Sequence, residues 1–252
     1  MTLLESIYCR RSIRKFKSDS LSPEELSQIE SYAKKIPPFL GDIQTDLYIT
    51  KTSAEGDSIK GLYKINAPHY IIMYSEKNSF SNLNVGFILE QLSLYLTSIG
   101  IGSCYLGVAK PQKQLLKKDT LEFNIILAIG YPDEPLTRAI EHFKRKNITE
   151  IANNASSISG VVRLAPSGMN LQPWYIYKKP ETVKDTGETY HIYCVNRRLF
   201  SHMHMTDMGI AISHIYVYAL ANNLDINFTN MKHPNISGRK YIISANIQKN
   251  EK

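Results

Sequence analysis

The stretches Asn84-Val85-Gly86-Phe87-Ile88-Leu89 and Asp207-Met208-Gly209-Ile210-Ala211-Ile212 resemble each other, and Gly86 and Gly209 lie 123 residues apart. Each stretch opens a run in which apolar residues recur at i, i+3, i+4 and i+7. This period is that of one face of an α-helix. The pattern predicts buried helices over 84–99 and 207–222, with Asp207 as N-cap and Gly100 as the C-terminal stop.

The neighbourhoods of the two helices also match, in the same order. The matched segments are 68–74 with 190–195, 33–38 with 162–167, and 46–49 with 173–177. Chance similarity between two amphipathic helices is the alternative explanation. Three matched segments instead favour an internal duplication with halves at 1–150 and 151–252. A duplicated chain resembles a fused homodimer, which predicts a monomer or a weak homodimer.

The remaining pattern indicates an α+β chain. Helices are predicted at 2–9, 23–35, 84–99, 112–118 and 207–222, and strands at 46–51, 69–75, 123–130, 174–178, 190–195 and 240–247. Loops are predicted at 52–66, 131–145 and 179–188. The start Ser22-Pro23-Glu24-Glu25 is a capping-box signal with proline in the first turn.

Composition narrows the functional class. The 252 residues carry 30 Lys+Arg against 23 Asp+Glu, a formal charge of +7, and 43% are hydrophobic. These are ordinary globular values, and no apolar run is long enough to span a bilayer. Three widely spaced cysteines exclude a disulfide framework, and the N-terminus lacks a secretory pattern, so a cytoplasmic location is expected. The positive charge allows an anionic partner.

The segment Arg10-Arg11-Ser12-Ile13-Arg14 is the first candidate for binding chemistry. In an extended segment, Arg10, Ser12 and Arg14 share one side, where guanidinium groups and a hydroxyl can hold a phosphate. A basic N-terminal tail is the alternative interpretation. No aromatic residues interleave with the basic clusters, so nucleic-acid binding is not predicted.

A second candidate is the loop Pro166-Ser167-Gly168-Met169-Asn170-Leu171-Gln172-Pro173-Trp174, whose small polar residues can approach a flat ligand. A plain helix-to-strand connection would need similar residues. Gly107, after Cys104-Tyr105-Leu106, would likewise let the backbone come close to a ring system. The His202-Met203-His204 pair has no third ligand nearby, so no metal site is predicted.

Together these motifs resemble the FMN-dependent nitroreductase family. The resemblance rests on Arg10 to Phe16, Gly100 to Gly107, Ile129 to Pro132, Lys144 to Glu150 and Arg163 to Trp174, and it covers about residues 3–224. The match is best with the tandem, single-chain "TM nitroreductase" branch. It implies an α+β fold in which a mixed β-sheet is flanked by helices and the duplication forms a pseudo-dimer.

The resemblance also implies roles for individual residues. Arg10, Ser12 and Arg145 would hold the phosphate of FMN, beside Arg11 and Lys144, and Arg14 would lie near the phosphate or the pyrimidine edge. Pro166, Ser167, Gly168 and Asn170 would cover the flavin, and the backbone of Leu106 and Gly107 would face N5. The first half has Ile36-Pro37-Pro38-Phe39-Leu40-Gly41-Asp42 at its loop position, and no Arg-Arg-Ser precedes the second loop. One FMN per chain is therefore expected.

The implied activity is a ping-pong reaction in which NADH or NADPH reduces the flavin, which then reduces a nitroaromatic, a quinone or a similar small acceptor. The protein supplies binding and orientation, and no catalytic side chain is predicted. Two alternatives stay open. One is a flavin-binding or storage protein without NAD(P)H activity, and the other is a basic anion- or nucleic-acid-binding module.

Overall fold

A computed structural model describes residues 1–50, 59–61, 65–180, 187–196 and 201–250, without the side chain of Ser201. In these ranges the helices are α1 (Leu3–Cys9), α2 (Pro23–Ala33), α3 (Ser81–Ser98), α4 (Ile148–Ile151), α5 (Ser157–Leu164) and α6 (Ser201–Ala221). The strands are β1 (Thr45–Ile49), β2 (Ile59–Lys60), β3 (His69–Ser75), β4 (Gly102–Leu106), β5 (Lys110–Pro111), β6 (Lys117–Lys118), β7 (Leu121–Gly130), β8 (Trp174–Lys178), β9 (Glu188–Val195), β10 (Leu224–Thr229) and β11 (Arg239–Lys249).

Local signals position several helix ends. Ser22 and Glu25 form the predicted capping box at the start of α2, with Pro23 in its first turn. Gly100 follows α3 with φ +89°, a left-handed conformation that glycine adopts without strain. The helix predictions at these places are confirmed.

Two helix predictions are wrong. Helix α6 begins at Ser201, so Asp207 is not its N-cap but lies buried inside the helix. The helix predicted at 112–118 is a single 3-10 turn, Lys113–Leu115, followed by β6. Strand β6 pairs with the start of β7 across a turn at Asp119, whose φ is +56°, and this hairpin ends the helical turn.

The longer strands form two antiparallel sheets, with strand orders β1-β3-β7-β4 and β10-β11-β9-β8; β6 also pairs with β7. The expected mixed sheet is therefore wrong for the described strands. Among the described residues, parallel pairing is limited to two isolated bridges, Ser12 with Ser103 and Ala152 with Ile176. The predicted loops 52–66 and 179–188 lie partly outside the described residues.

Helices α3 and α6 lie between the sheets and are buried along most of their length. One core packs α3 against the first sheet, through residues such as Leu89 and Leu127. A second core packs α6 against the second sheet, through residues such as Met208 and Trp174. A helix that is apolar on all sides belongs in such an interior. Among the described residues, no helix has the length and apolar character needed to cross a bilayer.

The two central helices touch backbone to backbone at a pair of glycines. A Cβ on Gly86 would overlap the carbonyl oxygen of Thr206, and a Cβ on Gly209 would overlap that of Leu83. Leu83 and Thr206 are themselves 123 residues apart, like the two glycines. The contact is therefore reciprocal: the glycine of each helix faces the equivalent backbone carbonyl of the other helix.

Candidate functional site

The arginine-rich segment after α1 is held between two neighbours. On one side, Ile13 donates its N–H to the carbonyl of Ser103 on β4 at 2.9 Å. On the other side, Arg10 bridges to Thr137, and Arg138 donates its N–H to the carbonyl of Cys9 at 2.8 Å. This pairing places Arg138 beside Arg10.

Residues 166–172, hereafter the roof, cross the site from the second half of the chain. Ser167 Oγ accepts the Gln172 N–H at 2.9 Å, and Gln172 Oε1 accepts the Lys146 N–H at 2.9 Å. Arg145 Nη1 donates to Asn170 Oδ1 at 2.9 Å. The basic segment 144–146 and the roof therefore hold each other in place.

The backbone of the roof is strained. Met169, Asn170 and Gln172 have φ of +50°, +58° and +48°. Residues other than glycine adopt this left-handed backbone conformation at a cost in free energy, so the surrounding hydrogen bonds must maintain it.

The arginine segment, the basic segment and the roof enclose a cavity of about 580 Å³, hereafter the arginine pocket. The predicted residues that line it are Arg10, Arg11, Ser12, Arg14, Lys144, Arg145, Pro166, Ser167 and Asn170. Arg138, His142 and Met169 line it as well. Its volume lies within the range of ligand sites, about 300–1,000 Å³.

Three guanidinium groups in the pocket have unused donors. Among the described residues, Arg10 Nε and Nη2, Arg138 Nε and Arg145 Nε are buried without a hydrogen-bond acceptor. Buried donors without partners are rare in folded proteins. An anion with several oxygens, such as a phosphate, would satisfy them.

The same arginines repel one another. Burial, with the nearby charges of Arg10, Arg11 and Arg14, lowers the pKa of Arg138 to about 10. Burial and the charges of Arg138 and Arg10 lower the pKa of Arg145 to about 10, while Glu90 opposes that shift. The pocket thus concentrates positive charge that an anionic ligand would neutralise.

Glu90 on α3 is the buried carboxylate behind Arg10. Its Oε1 lies 3.9 Å from Arg10 Nε and 3.1 Å from His214 Nε2 on α6. Its Oε2 accepts the hydroxyl hydrogen bond of Tyr105 at 2.9 Å. Side chains from α3, α6 and β4 thus meet behind Arg10, which lines the pocket.

Arg11 is held differently, at the rim. Its Nη2 lies 2.5 Å from Glu134 Oε2, and Glu134 also accepts the N–H groups of Arg14 and Lys15. Burial alone would raise the pKa of Glu134, but these N–H groups and the charge of Arg11 outweigh it and lower the pKa. Arg11 therefore has a hydrogen-bonded carboxylate partner, whereas Arg10 Nε and Nη2 have no hydrogen-bond acceptor among the described residues.

The structure does not bring every predicted residue to the cavity wall. Leu106 ends β4 with its side chain in the core of the first sheet. Gly107 is exposed, with no heavy atom within 4 Å of a Cβ placed there. Gly168 belongs to the roof but packs against Met203 and does not line the cavity. A role for the backbone of Leu106 and Gly107 stays a prediction.

Sequence reasoning missed Arg138 and His142. Both are single residues in the predicted loop 131–145, outside any motif, so the pattern gave no reason to select them. The one feature that connects them to the site is their place in the chain. The segment that follows Gly130-Tyr131-Pro132 runs back alongside the arginine segment. His202 and His204 lie on the helix α6, where residues two apart do not share a face.

The residues present suit a ligand with a phosphate and a flat ring. The unpartnered guanidinium atoms could donate hydrogen bonds to such a phosphate. The roof presents Pro166, Ser167 and Asn170 opposite them. FMN has both parts, so the donor set of the pocket fits FMN.

Comparisons with known proteins agree on the fold. The family model described as "Putative TM nitroreductase" matches residues 2–219. A crystal structure named as a putative nitroreductase from Thermotoga maritima aligns with a TM-score of 0.65 and 22% identity, over 98% of this chain and 93% of that chain. At that identity the likeness shows a shared fold.

An FMN-dependent nitroreductase from Clostridium difficile aligns over 55% of this chain and 93% of its own, with 20% identity and a TM-score of 0.47. No curated protein matches the chain significantly.

Proposed function

The chain belongs to the TM nitroreductase family, and from that membership we propose that it is an FMN-dependent oxidoreductase that takes electrons from NADH or NADPH. The acceptor would be a nitroaromatic, a quinone or a similar small molecule, in a ping-pong cycle. FMN supplies the two-electron chemistry when bound. The observation that carries the proposal is the set of buried, unpartnered guanidinium atoms in the arginine pocket.

In this proposal the chain's own residues bind and orient the cofactor. Arg10, Arg138 and Arg145 hold the phosphate, with Ser12 beside them. Arg14 and Lys144 add positive charge at the mouth of the pocket. The roof excludes water from one face of the ring.

We also propose that the chain is an internal duplication with halves at 1–150 and 151–252. Two observations support it. The glycine contacts between α3 and α6 are reciprocal. In addition, Asn84 Oδ1 accepts the Phe39 N–H at 2.8 Å, as Asp207 Oδ1 accepts the Gly168 N–H at 2.9 Å.

The duplication makes one FMN per chain the expected stoichiometry. Phe39 stands where the matching loop of the second half has Gly168. Its ring packs against Phe87 at 5.3 Å and Phe228 at 5.0 Å between centroids. The loop of the first half therefore places a large aromatic side chain where the roof has none.

The first experiment measures the cofactor. Purified protein should be yellow, with one FMN per chain by absorbance after denaturation. Anaerobic addition of NADH or NADPH should bleach the flavin. Colourless protein that does not bind added FMN would contradict the proposal, and bound FMN that no nicotinamide bleaches would favour a flavin-binding or storage protein.

A matched pair of arginine variants tests the phosphate contacts. Arg138 stacks over Phe143 at 3.9 Å, and Arg239 stacks over Tyr175 at 4.9 Å in the second sheet. Arg138→Gln should weaken FMN binding by roughly 10- to 100-fold, because a charge-assisted hydrogen bond is lost. Arg239→Gln should leave the affinity unchanged. Fluorescence titration with FMN gives both values.

The double variant Arg10→Ala with Ser12→Ala extends this test. It should abolish FMN retention while circular dichroism shows that the fold persists. A double variant that keeps its full complement of FMN would show that the phosphate lies elsewhere.

A further inference from the structure

A single buried carboxyl group ties the roof to the central helix α6. Asp207 Oδ1 accepts the N–H of Gly168 at 2.9 Å. One turn earlier on the same face of α6, Met203 lies so close to Gly168 that a Cβ there would overlap its sulfur. Asp207 and Met203 therefore contact the roof on the side that faces away from the pocket.

The equivalent contact in the first half uses an amide. Asn84 Oδ1 accepts the N–H groups of Phe39 and Leu40, and its Nδ2 donates to the carbonyl of Ile43. All of these contacts are neutral. An amide is thus sufficient to hold such a loop, and the acid at position 207 adds a property that anchoring alone does not need.

That property is the ability of a carboxyl group to bind and release a proton. Asp207 is 2% exposed, and its Oδ2 is buried with no hydrogen-bond partner in the described part of the chain. An ionised carboxylate with an unpaired oxygen is costly in such a place. Burial raises the pKa of Asp207 to about 8, although the Gly168 N–H opposes the shift.

Two titratable groups on described neighbouring strands face Asp207, and neither a phenol nor a thiol carries a positive charge. Tyr105 from β4 and Cys194 from β9 face Asp207, and burial raises the pKa of both, with Asp207 adding to the effect. His204, buried, lies one turn earlier on α6. Arg239 and Lys240 lie near Cys194 and favour its thiolate.

We propose that Asp207 is a positioning residue for the roof of the arginine pocket, protonated while the roof is closed and ionised when the roof lifts, so that rising pH favours release of the bound cofactor. The identity of that cofactor rests on the proposed function, whereas the coupling of Asp207 to the roof does not. The strained backbone at Met169, Asn170 and Gln172 would relax on opening once the anchor is released.

The direction of the pH dependence follows from the difference in proton binding between the closed and open states. The closed state holds a proton on Asp207 that the open, hydrated carboxylate has lost at neutral pH. Raising the pH therefore favours the open state. Above about pH 8 the closed state also ionises, and the gain levels off.

The experiment follows FMN release from the holoprotein between pH 7 and pH 9, by the rise in free-FMN fluorescence after dilution. In the original protein the release rate should rise up to about tenfold across this range. Asp207→Asn, which copies the amide of the first half, should give slow release that does not follow the same pH profile. Asp207→Ala, which lacks any acceptor for Gly168, should release FMN faster at both pH values.

The Asn variant also serves as the control for other ionisations in the pocket, since those arginines and the FMN are the same in both proteins. A profile that Asp207→Asn shares with the original protein would overturn the proposal. So would release from the original protein that is independent of pH.

A second measurement separates this proposal from the proposed function. Hydrogen exchange of residues 166–172, followed by mass spectrometry without ligand, reports the opening itself. The ratio of exchange rates between the original protein and Asp207→Asn should grow with pH. If the protein binds no FMN, the proposed function fails, and this ratio alone decides the role of Asp207.

Discussion

At the residue scale, we expect substitution of Glu90 to lower the free energy of unfolding the most. Glu90 compensates the buried charge of Arg10, contacts His214 and accepts the Tyr105 hydroxyl. His214 Nδ1 lies 2.8 Å from the Val161 carbonyl, so this nitrogen carries a proton.

Replacing Glu90 should therefore be costly. Glu90→Ala leaves Arg10 buried without its counter-charge, and we expect a loss of about 3–5 kcal/mol in the free energy of unfolding. Asp46→Ala is the control, because the Lys118–Asp46 pair at 2.5 Å is largely exposed and should contribute at most about 1 kcal/mol. Urea denaturation measures both. Equal losses would show that Glu90 is not compensating a buried charge.

The residues of the pocket were predictable where they belonged to a dense motif. Arg10, Ser12 and Asn170 meet at one cavity as their motifs indicated. Arg138 was not predictable, because one arginine in a loop carries no pattern. Glu90 was not either, since in a helix of apolar period a lone acid looks like a surface residue until the partner helix is known.

At the element scale, the contact between α3 and α6 depends on two glycines. Gly86 faces the backbone at Thr206, and Gly209 faces the backbone at Leu83. Backbone cannot move aside as a flexible side chain can. The helices lie at this distance only while both positions lack a side chain.

Adding one methyl group should force the helices apart. Gly86→Ala or Gly209→Ala should lower the free energy of unfolding by about 1–3 kcal/mol each, as overpacking does. Gly160→Ala on α5 is the matched control, because a Cβ there meets nothing within 4 Å. That change should be neutral or stabilising by up to about 1 kcal/mol, since alanine favours a helix. Thermal and urea unfolding distinguish these outcomes.

Helices and strands with a strong apolar period were predictable, and short elements without one were not. The strand predictions 69–75 and 174–178 match β3 and β8. The sequence analysis placed no strand at β4 or β10, whose pairing with β7 and β11 depends on distant residues. Asp207 lies six residues inside the described part of α6, where its carboxyl group accepts the Gly168 N–H instead of capping the helix.

At the scale of the whole molecule, the cores cross the proposed boundary at residue 150. Leu83 and Phe87 of the first half pack in one cluster with Trp174 and Met208 of the second. Ile7 on α1 belongs to a cluster with Val161 on α5. Each half alone would expose one apolar face of its central helix.

The halves should therefore fold only together. Fragments 1–150 and 151–252, produced separately, should show no cooperative thermal transition by circular dichroism, because the buried surface of α3 and α6 is lost. Mixing them should restore a transition and, with FMN, the yellow colour. A fragment that unfolds cooperatively on its own would contradict the proposed interdependence.

At this scale the two central helices were predictable, because a strong apolar period marks a buried helix. The pattern around Gly86 and Gly209 predicted two buried helices, and α3 and α6 lie there. It did not anticipate that two antiparallel sheets would replace a mixed one, since strand direction depends on which segments become long enough to pair.

Both walls of the arginine pocket come from one polypeptide, the floor from its beginning and the cover from its latter part. Their local concentration is therefore set by the tether between them and not by how much protein is in solution. Dilution cannot separate what the backbone joins. A pocket built in this way stays assembled at very low protein concentration, where two separate subunits that share such a crevice would dissociate.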